Sequence, residues 1–280
     1  MIKLVLTDLD DTLIPFGSRG VSDYARAAIH TLLDAGVRFG PVSGRPPHAM
    51  GWMFGDDPVC YATGAFANGM VIYADGRHVR TVEIAPDLVR RVYEEVDALE
   101  GVFFFRTDIG DDAGSIYITS RPESIEKHRK QAPTMRYSTE LGGGPFVKVG
   151  LHFVENDPDY VSEVRDLLSA RIPELLFFRP SNTVPAIDIT PVGWGKGAAA
   201  LALGNELGIA PDEIAVFGDS ENDLDMLSTV PHSVAVANAA AEVCEAASCV
   251  IGDCRDEAVA DALLEIAEAS LAGRLPAFLH

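Results

Sequence analysis

An apolar run that breaks into paired acids sets the first constraint on this chain. Leu4-Val5-Leu6-Thr7 is followed by Asp8-Leu9-Asp10-Asp11-Thr12-Leu13, so a buried strand delivers two carboxylates to one place. If the extended geometry persists, Asp8 and Asp10 share side-chain parity. Carboxylates held together repel, and they call for a cation or a proton between them. The same local order recurs more than 200 residues later, where Ala215-Val216-Phe217-Gly218 runs into Asp219-Ser220-Glu221-Asn222-Asp223. In an open parallel sheet, ligands bind where strands end at the carboxyl edge. Both clusters would lie there, and Asp8, Asp10 and Asp219 would meet across neighbouring strands.

Between the clusters the pattern changes twice. Residues 2–7 read as a strand, and Ser22 as the N-cap of a helix that Gly36 ends. Strands follow at 37–42 and 58–62, with Pro46 opening a helix between them, and Asn68 to Glu83 reads as a hairpin turning at Asp75-Gly76. This β-α-β-α-β order implies a parallel, helix-covered sheet. After residue 83 the alternation stops. Helices are expected at 86–99, 122–131 and 158–168, and strands at 102–106, 114–119, 146–152, 175–179 and 184–189. The βα alternation then returns, with helices at 196–207, 221–228, 240–247 and 256–271 around strands at 214–218, 233–236 and 248–251. The expected fold is α/β: a Rossmann-like parallel-sheet core, residues 1–83 and 190–280, interrupted by an inserted α+β domain at 84–189.

Charge narrows the partners. The 280-residue chain has 22 Lys plus Arg against 42 Asp plus Glu, a formal charge of −20, and no basic stripe. Such a surface repels phosphate backbones, which argues against nucleic acid. It also means that a phosphorylated ligand needs local cations. The first apolar stretch is short and interrupted by acids, and no run approaches a membrane span, so neither signal peptide nor membrane association is expected and the location reads as cytoplasmic. Cys244, Cys249 and Cys254 recur at intervals of five, a spacing that fits no common zinc pattern. With Cys60 they read as ordinary thiols in a reducing compartment.

The oxygen ligands at the two strand ends suit Mg²⁺, which keeps several waters and takes one or two carboxylates plus substrate phosphate. Ser43, after the strand at 37–42, can offer its hydroxyl and neighbouring backbone N–H groups to a phosphate oxygen. Lys196, in Trp194-Gly195-Lys196-Gly197, opens a helix where it can pair with both a phosphate and Asp8. It is not a Walker loop, because Gly197 stands where Ser or Thr is required and Thr190 where the first glycine is.

With these residues in place the chain resembles the haloacid dehalogenase superfamily of phosphatases. Asp8-Leu9-Asp10-Asp11-Thr12-Leu13, Ser43-Gly44-Arg45, Lys196-Gly197 and Gly218-Asp219-Ser220-Glu221-Asn222-Asp223 match its four motifs in order. The insert lies between the second and third motifs, as in the type IIB cap of the Cof-like branch. Asn68-Gly69 and Asn238-Ala239 also look like that branch. The resemblance implies that Asp8 is the nucleophile and forms an aspartyl-phosphate, and that Asp10 is the acid and base. It further implies that Asp8, the Asp10 carbonyl and Asp219 hold Mg²⁺, with Asn222 and Asp223 in support. Ser43, Gly44 and Lys196 would bind the phosphoryl oxygens.

The implied activity is Mg²⁺-dependent hydrolysis of a small phosphomonoester, a sugar phosphate being favoured. A dedicated glycosyl-phosphate phosphatase and a sugar phosphomutase stay open, as does a phosphoryl-accepting receiver-like module. In the family the cap contacts the leaving group. Among Arg106, Arg121, Lys148, His152 and Arg179 of this cap, Arg179 is the candidate substrate contact, while Phe103-Phe104-Phe105 reads as strand core. The substrate and the oligomeric state are not legible.

Overall fold

The computed structural model describes residues 1–110, 114–180 and 184–279. The chain divides into two compact units, Met1–Arg80 with Trp194–His280, and Thr81–Gly193.

The first unit opens with β1 (Leu4–Thr7), α1 (Asp23–Asp34) and β2 (Arg38–Pro41). Ser22 caps α1 by accepting from the Ala25 N–H at 2.9 Å, and Gly36, at φ +82°, follows its end. A 3₁₀ turn at Pro47–Ala49 leads into the short α2 (Met50–Met53), and a second 3₁₀ turn, Pro58–Tyr61, precedes β3 (Gly64–Phe66). The hairpin β4 (Val71–Ala74) and β5 (Arg77–Thr81) turns at Asp75-Gly76, both at positive φ, as a two-residue type I′ loop requires.

The second unit contains α3 (Pro86–Val96), β6 (Val102–Thr107), β7 (Ser115–Ile118) and α4 (Pro122–Arg129). It continues with β8 (Arg136–Ser138), β9 (Lys148–Phe153), α5 (Pro158–Arg171), β10 (Leu175–Phe178) and β11 (Ala186–Pro191). Its strands form one sheet in the order β10-β11-β9-β6-β7-β8. Period-2 alternation sends Phe104 and Phe153 to the face that meets Tyr93 of α3 and Tyr160 of α5. Phe103 points the other way, stacked on His128 of α4 with ring centroids 5.0 Å apart. Phe103, Phe104 and Phe105 are all buried, as strand core.

The chain then returns to the first unit with α6 (Lys196–Glu206), β12 (Ile214–Gly218), α7 (Leu224–Thr229) and β13 (His232–Ala235). It ends with α8 (Ala241–Ala246), β14 (Cys249–Val250) and α9 (Ala258–Leu271). The main sheet is β14-β13-β12-β1-β2, parallel throughout. Because helices cover both of its faces, β1 and β12 are continuous apolar runs and not alternating ones; Leu4, Val5, Leu6, Val216 and Phe217 are fully buried. β2 follows β1 on one side and β12 flanks it on the other, so the chain reverses its winding direction at β1. That reversal opens a crevice at the carboxyl ends of β1 and β12.

Three local expectations are corrected. Residues 58–62 are not a strand: Asp57-Pro58 starts a 3₁₀ turn closed by Cys60 N–H to Asp57 C=O, and the strand begins at Gly64. The expected helix at 221–228 starts as a 3₁₀ turn, Glu221–Asp223, because the Asp223 side chain folds back on the N–H groups of Asp219 and Ser220. β8 has no counterpart among the sequence-based expectations; it is three residues long and lacks an apolar run.

Candidate active site

β1 lies between β2 and β12 in the sheet, and the ladder continues one residue past it, with Asp8 N–H bonded to Phe217 C=O at 2.9 Å. Extended geometry then stops. The Leu9 carbonyl accepts from the N–H groups of Leu13 and Ile14, and Asp11 takes φ +62°. This turn overrides the shared parity expected for the two acids. Asp8 is buried, whereas the Asp10 side chain is half exposed and accepts two hydrogen bonds from Arg45, at 2.6 and 2.8 Å. Asn238 pins the turn from 227 residues away: its amide donates to the Asp11 carbonyl at 2.7 Å and accepts from Cys254 N–H.

Lys196 is the first residue of α6 and is almost completely buried. Its ammonium donates to Asp8 Oδ1 and to Asp223 Oδ1, both at 2.6 Å. Three features of the local sequence allow this. Gly195 and Gly197 have no side chains, and a Cβ on either would come within 2.6 Å of Asp225. Asp225 in turn accepts the Gly197 N–H at 2.8 Å, satisfying one of the orphan donors of the first turn of α6. Trp194 donates its indole N–H to the Gly69 carbonyl at 3.0 Å, tying the approach to the helix.

The second acid cluster comes in on β12. Asp219 accepts from the Thr12 hydroxyl at 2.7 Å, which links the two strand ends directly. Asp223, fully buried, gives one oxygen to Lys196 and the other to the N–H groups of Asp219 and Ser220. Asn222 accepts from the Ser220 hydroxyl at 2.7 Å. Ser43 is buried just past β2, where its hydroxyl oxygen accepts the Arg45 N–H at 3.2 Å; Gly44 lies half-buried between them.

The electrostatics are unbalanced. Burial alone would lower the Lys196 pKa, but Asp223 and Asp8 outweigh it and hold the ammonium above its ordinary value. Against that one cation stand three carboxylates. Burial, together with Asp223 and Asp219, holds Asp8 well above the carboxylate range despite Lys196. Burial and the neighbouring Asp223 push Asp219 up to about 7. Oxygens of Asp8, Asp219 and Asp223 lie within 4.8 Å of one another. An all-oxygen donor set with surplus negative charge fits a hard divalent cation.

Sequence reasoning singled out Asp8, Asp219, Asp223, Lys196 and Ser43, and the fold gathers their side chains at one sheet edge. It did not find Asp225, or the pairing of Arg45 with Asp10. In the second unit Arg106 donates to the Gly143 carbonyl, Arg121 to the Leu99 carbonyl, and Lys148 pairs with buried Asp188. Arg179 is half-buried directly after β10, and the residues at 181–183 that follow lie outside the described residues. Among the described residues, neither Cys244, Cys249 nor Cys254 enters a group of three metal-ligating side chains, and burial pushes the Cys254 thiol up to about 11.

The sequence profile of the haloacid dehalogenase-like hydrolases matches residues 5–263. The chain belongs to that family. It is 26% identical over 271 residues to the HMP-PP phosphatase of Klebsiella pneumoniae, covering 92% of this chain and 93% of that one. A shorter match, 35% over 144 residues, to the chloroplastic endoribonuclease YBEY of Arabidopsis thaliana covers 42% of this chain and 24% of that protein. The haloacid dehalogenase subclass IIB sugar phosphatase BT4131 superposes with a TM-score of 0.75 at 17% identity, covering 93% of this chain and 97% of that one. The α/β core with an inserted α+β domain is thus the fold of this hydrolase family. No helix among the described residues is long and apolar enough to cross a membrane.

Proposed function

We propose that this hydrolase cleaves a small phosphomonoester, a sugar phosphate being the favoured class, through a covalent phosphoryl intermediate on Asp8. It is a phosphatase of the haloacid dehalogenase-like family acting on small phosphate substrates, as its full-length relative from Klebsiella is by name. The observation that carries the finer reading is the buried Lys196 ammonium bridging Asp8 and Asp223 beside Asp219.

In the proposed reaction an Asp8 carboxylate oxygen attacks phosphorus, and the bond from phosphorus to the leaving alcohol breaks. Asp10 gives that oxygen its proton. Water then attacks the phosphorus while Asp10 takes its proton back, the bond to Asp8 breaks, and inorganic phosphate leaves. Both oxygens of Asp10 accept from Arg45, so this proton transfer needs the pair to open. Positioning and charge neutralisation supply most of phosphoryl-transfer catalysis, which is why a carboxylate serves as the nucleophile. Lys196 and Ser43, with the backbone at Gly44, are the groups assigned to the phosphoryl oxygens.

Asp8 and Asp219, with the Asp10 carbonyl, would hold Mg²⁺, and Asp223 and Asn222 would support it. Asp223 fits support better than ligation because both its oxygens already accept hydrogen bonds. When bound, the ion would offset the charge on the phosphoryl group and the clustered acids. Arg179 is the proposed contact to the leaving group.

A panel of sugar and nucleotide phosphates, assayed with Mg²⁺ and with chelator, tests the reading. Release of inorganic phosphate separates hydrolysis from transfer to an isomeric sugar phosphate, and sustained turnover separates both from a receiver-like module. Wild-type turnover in Asp8→Asn would sink the assignment, and activity indifferent to chelator would sink the metal.

A further inference from the structure

We propose that His30, Asp57 and Cys60 form a second metal site, separate from the carboxylate cluster and suited to a thiophilic divalent ion such as Zn²⁺. One ligand atom from each lies within 4.8 Å of the others. The donors come from two elements: His30 from α1, Asp57 and Cys60 from the 3₁₀ turn ahead of β3. That turn enters β3 from the side at which the parallel strands begin, whereas Asp8 and Asp219 lie beyond the ends of β1 and β12.

A histidine–aspartate pair at a surface is by itself a weak ion pair. What distinguishes this one is the third donor. His30 Nε2 and Asp57 Oδ2 are 2.7 Å apart, and the sulfur of the fully buried Cys60 lies within 4.8 Å of ligand atoms of both. Nitrogen, sulfur and carboxylate oxygen together select zinc-like ions over Mg²⁺, in contrast to the all-oxygen cluster of the catalytic edge. Zinc bonds of roughly 2.0–2.3 Å in tetrahedral geometry put ligand atoms about 3.5 Å apart. The histidine and aspartate atoms must therefore part by less than about 1 Å. Both side chains reach solvent, at 48% and 24% exposure, so they are free to make that adjustment, and water can take the fourth position.

The surroundings favour a cation. Asp56 and Asp57 both act on Tyr61, raising its pKa after the effect of burial. Arg26, the cation that bears on Cys60, is paired with Asp23. On binding, the hydrogen bond from His30 to Asp57 breaks, the Nε2 proton leaves to solvent or moves to Nδ1 so that Nε2 presents its lone pair, and the Cys60 thiol releases its proton to solvent as sulfur bonds the metal. The ion would staple α1 to the segment entering β3.

The test is titration of chelator-treated, full-length protein with Co²⁺. A thiolate-bound Co²⁺ gives a sulfur-to-metal charge-transfer band; the carboxylate cluster contains no sulfur and gives none. The band is expected to saturate at one thiolate-bound ion per chain, to be displaced by Zn²⁺, and to persist when Cys244, Cys249 and Cys254 are all replaced by serine. Cys60→Ser should abolish it. His30→Gln, at a side chain exposed enough to spare the fold, should weaken binding about tenfold or more, with phosphatase turnover in Mg²⁺ unchanged. Absence of the band in the wild type, or a band of unaltered affinity in His30→Gln, overturns the proposal.

Discussion

Each compact unit buries a lysine against acid, and the two arrangements differ in charge balance. In the second unit Lys148 pairs with Asp188, both of them largely buried. In the first unit Lys196 faces Asp8 and Asp223 at once, with Asp219 close by. A buried ion pair is a structural device whose partners compensate each other's desolvation. An ammonium shared among three carboxylates leaves negative charge uncompensated, so burial and repulsion hold Asp8 and Asp219 above their ordinary pKa range. Surplus negative charge at a strand end prepares a site for a cation and an anionic ligand.

The comparison can be broken most severely at Asp8. Asp8→Asn is expected to lower hydrolysis of p-nitrophenyl phosphate on the order of 10⁴-fold or more, the scale of losing a nucleophile, with the fold intact by circular dichroism. The two lysines come next. Lys196→Met should cost about 3–5 kcal/mol in urea denaturation, since it strands buried carboxylates, and Lys148→Met should destabilise as well by removing the ammonium beside Asp188. Only the first should also abolish turnover of the folded fraction. If Lys148→Met removed activity while keeping stability, the Lys148–Asp188 pair would belong to the substrate site.

Acid titration sharpens the contrast. Because Asp219 is raised to about 7, the folded state holds a proton that the unfolded chain gives up near its ordinary pKa of 3.8. In chelator the contribution of Asp219 to stability is therefore full below about pH 4 and is lost as pH rises toward 7. Saturating Mg²⁺ should flatten that slope, as seen in urea midpoints across the range. A flat profile in chelator would mean that the carboxylate charge is already offset. Smaller again is Asp225→Ala, which removes the acceptor for the Gly197 N–H. It is expected to cost about 1 kcal/mol as a lost helix cap and to reduce kcat more than it raises KM, by loosening Lys196. Arg45→Gln should be the mildest for stability, at most about 1 kcal/mol, because its pair with Asp10 is half exposed.

The parallel core was legible because its signals are local. Buried strands such as 214–218 read as apolar runs, Ser22 and Gly36 mark helix ends, and Asp75-Gly76 announces a hairpin. The acids at the ends of β1 and β12 were legible for the same reason. The turn that separates Asp8 from Asp10 was not, since its closure depends on Asn238, far along the chain. Nor was Asp225, which acts on a helix that begins 29 residues earlier in sequence. The 3₁₀ turn at Pro58–Tyr61 masqueraded as a strand because a short apolar run carries no period of its own.

By itself the sequence determined most of the core strands and helices, the insertion between two halves of a core, and which acids stand at strand ends. Those features follow from periodicity and turn chemistry within a dozen residues. The sequence set Lys196 where it could reach Asp8; tertiary structure alone decided the other partnerships: Lys196 with Asp223, Asp10 with Arg45, Thr12 with Asp219, and His30 with Asp57 beside Cys60. The physical reason is range. A charge or hydrogen bond is decided by ångström-scale approach between elements that packing brings together, and no local pattern encodes which of several nearby acids a buried cation will meet.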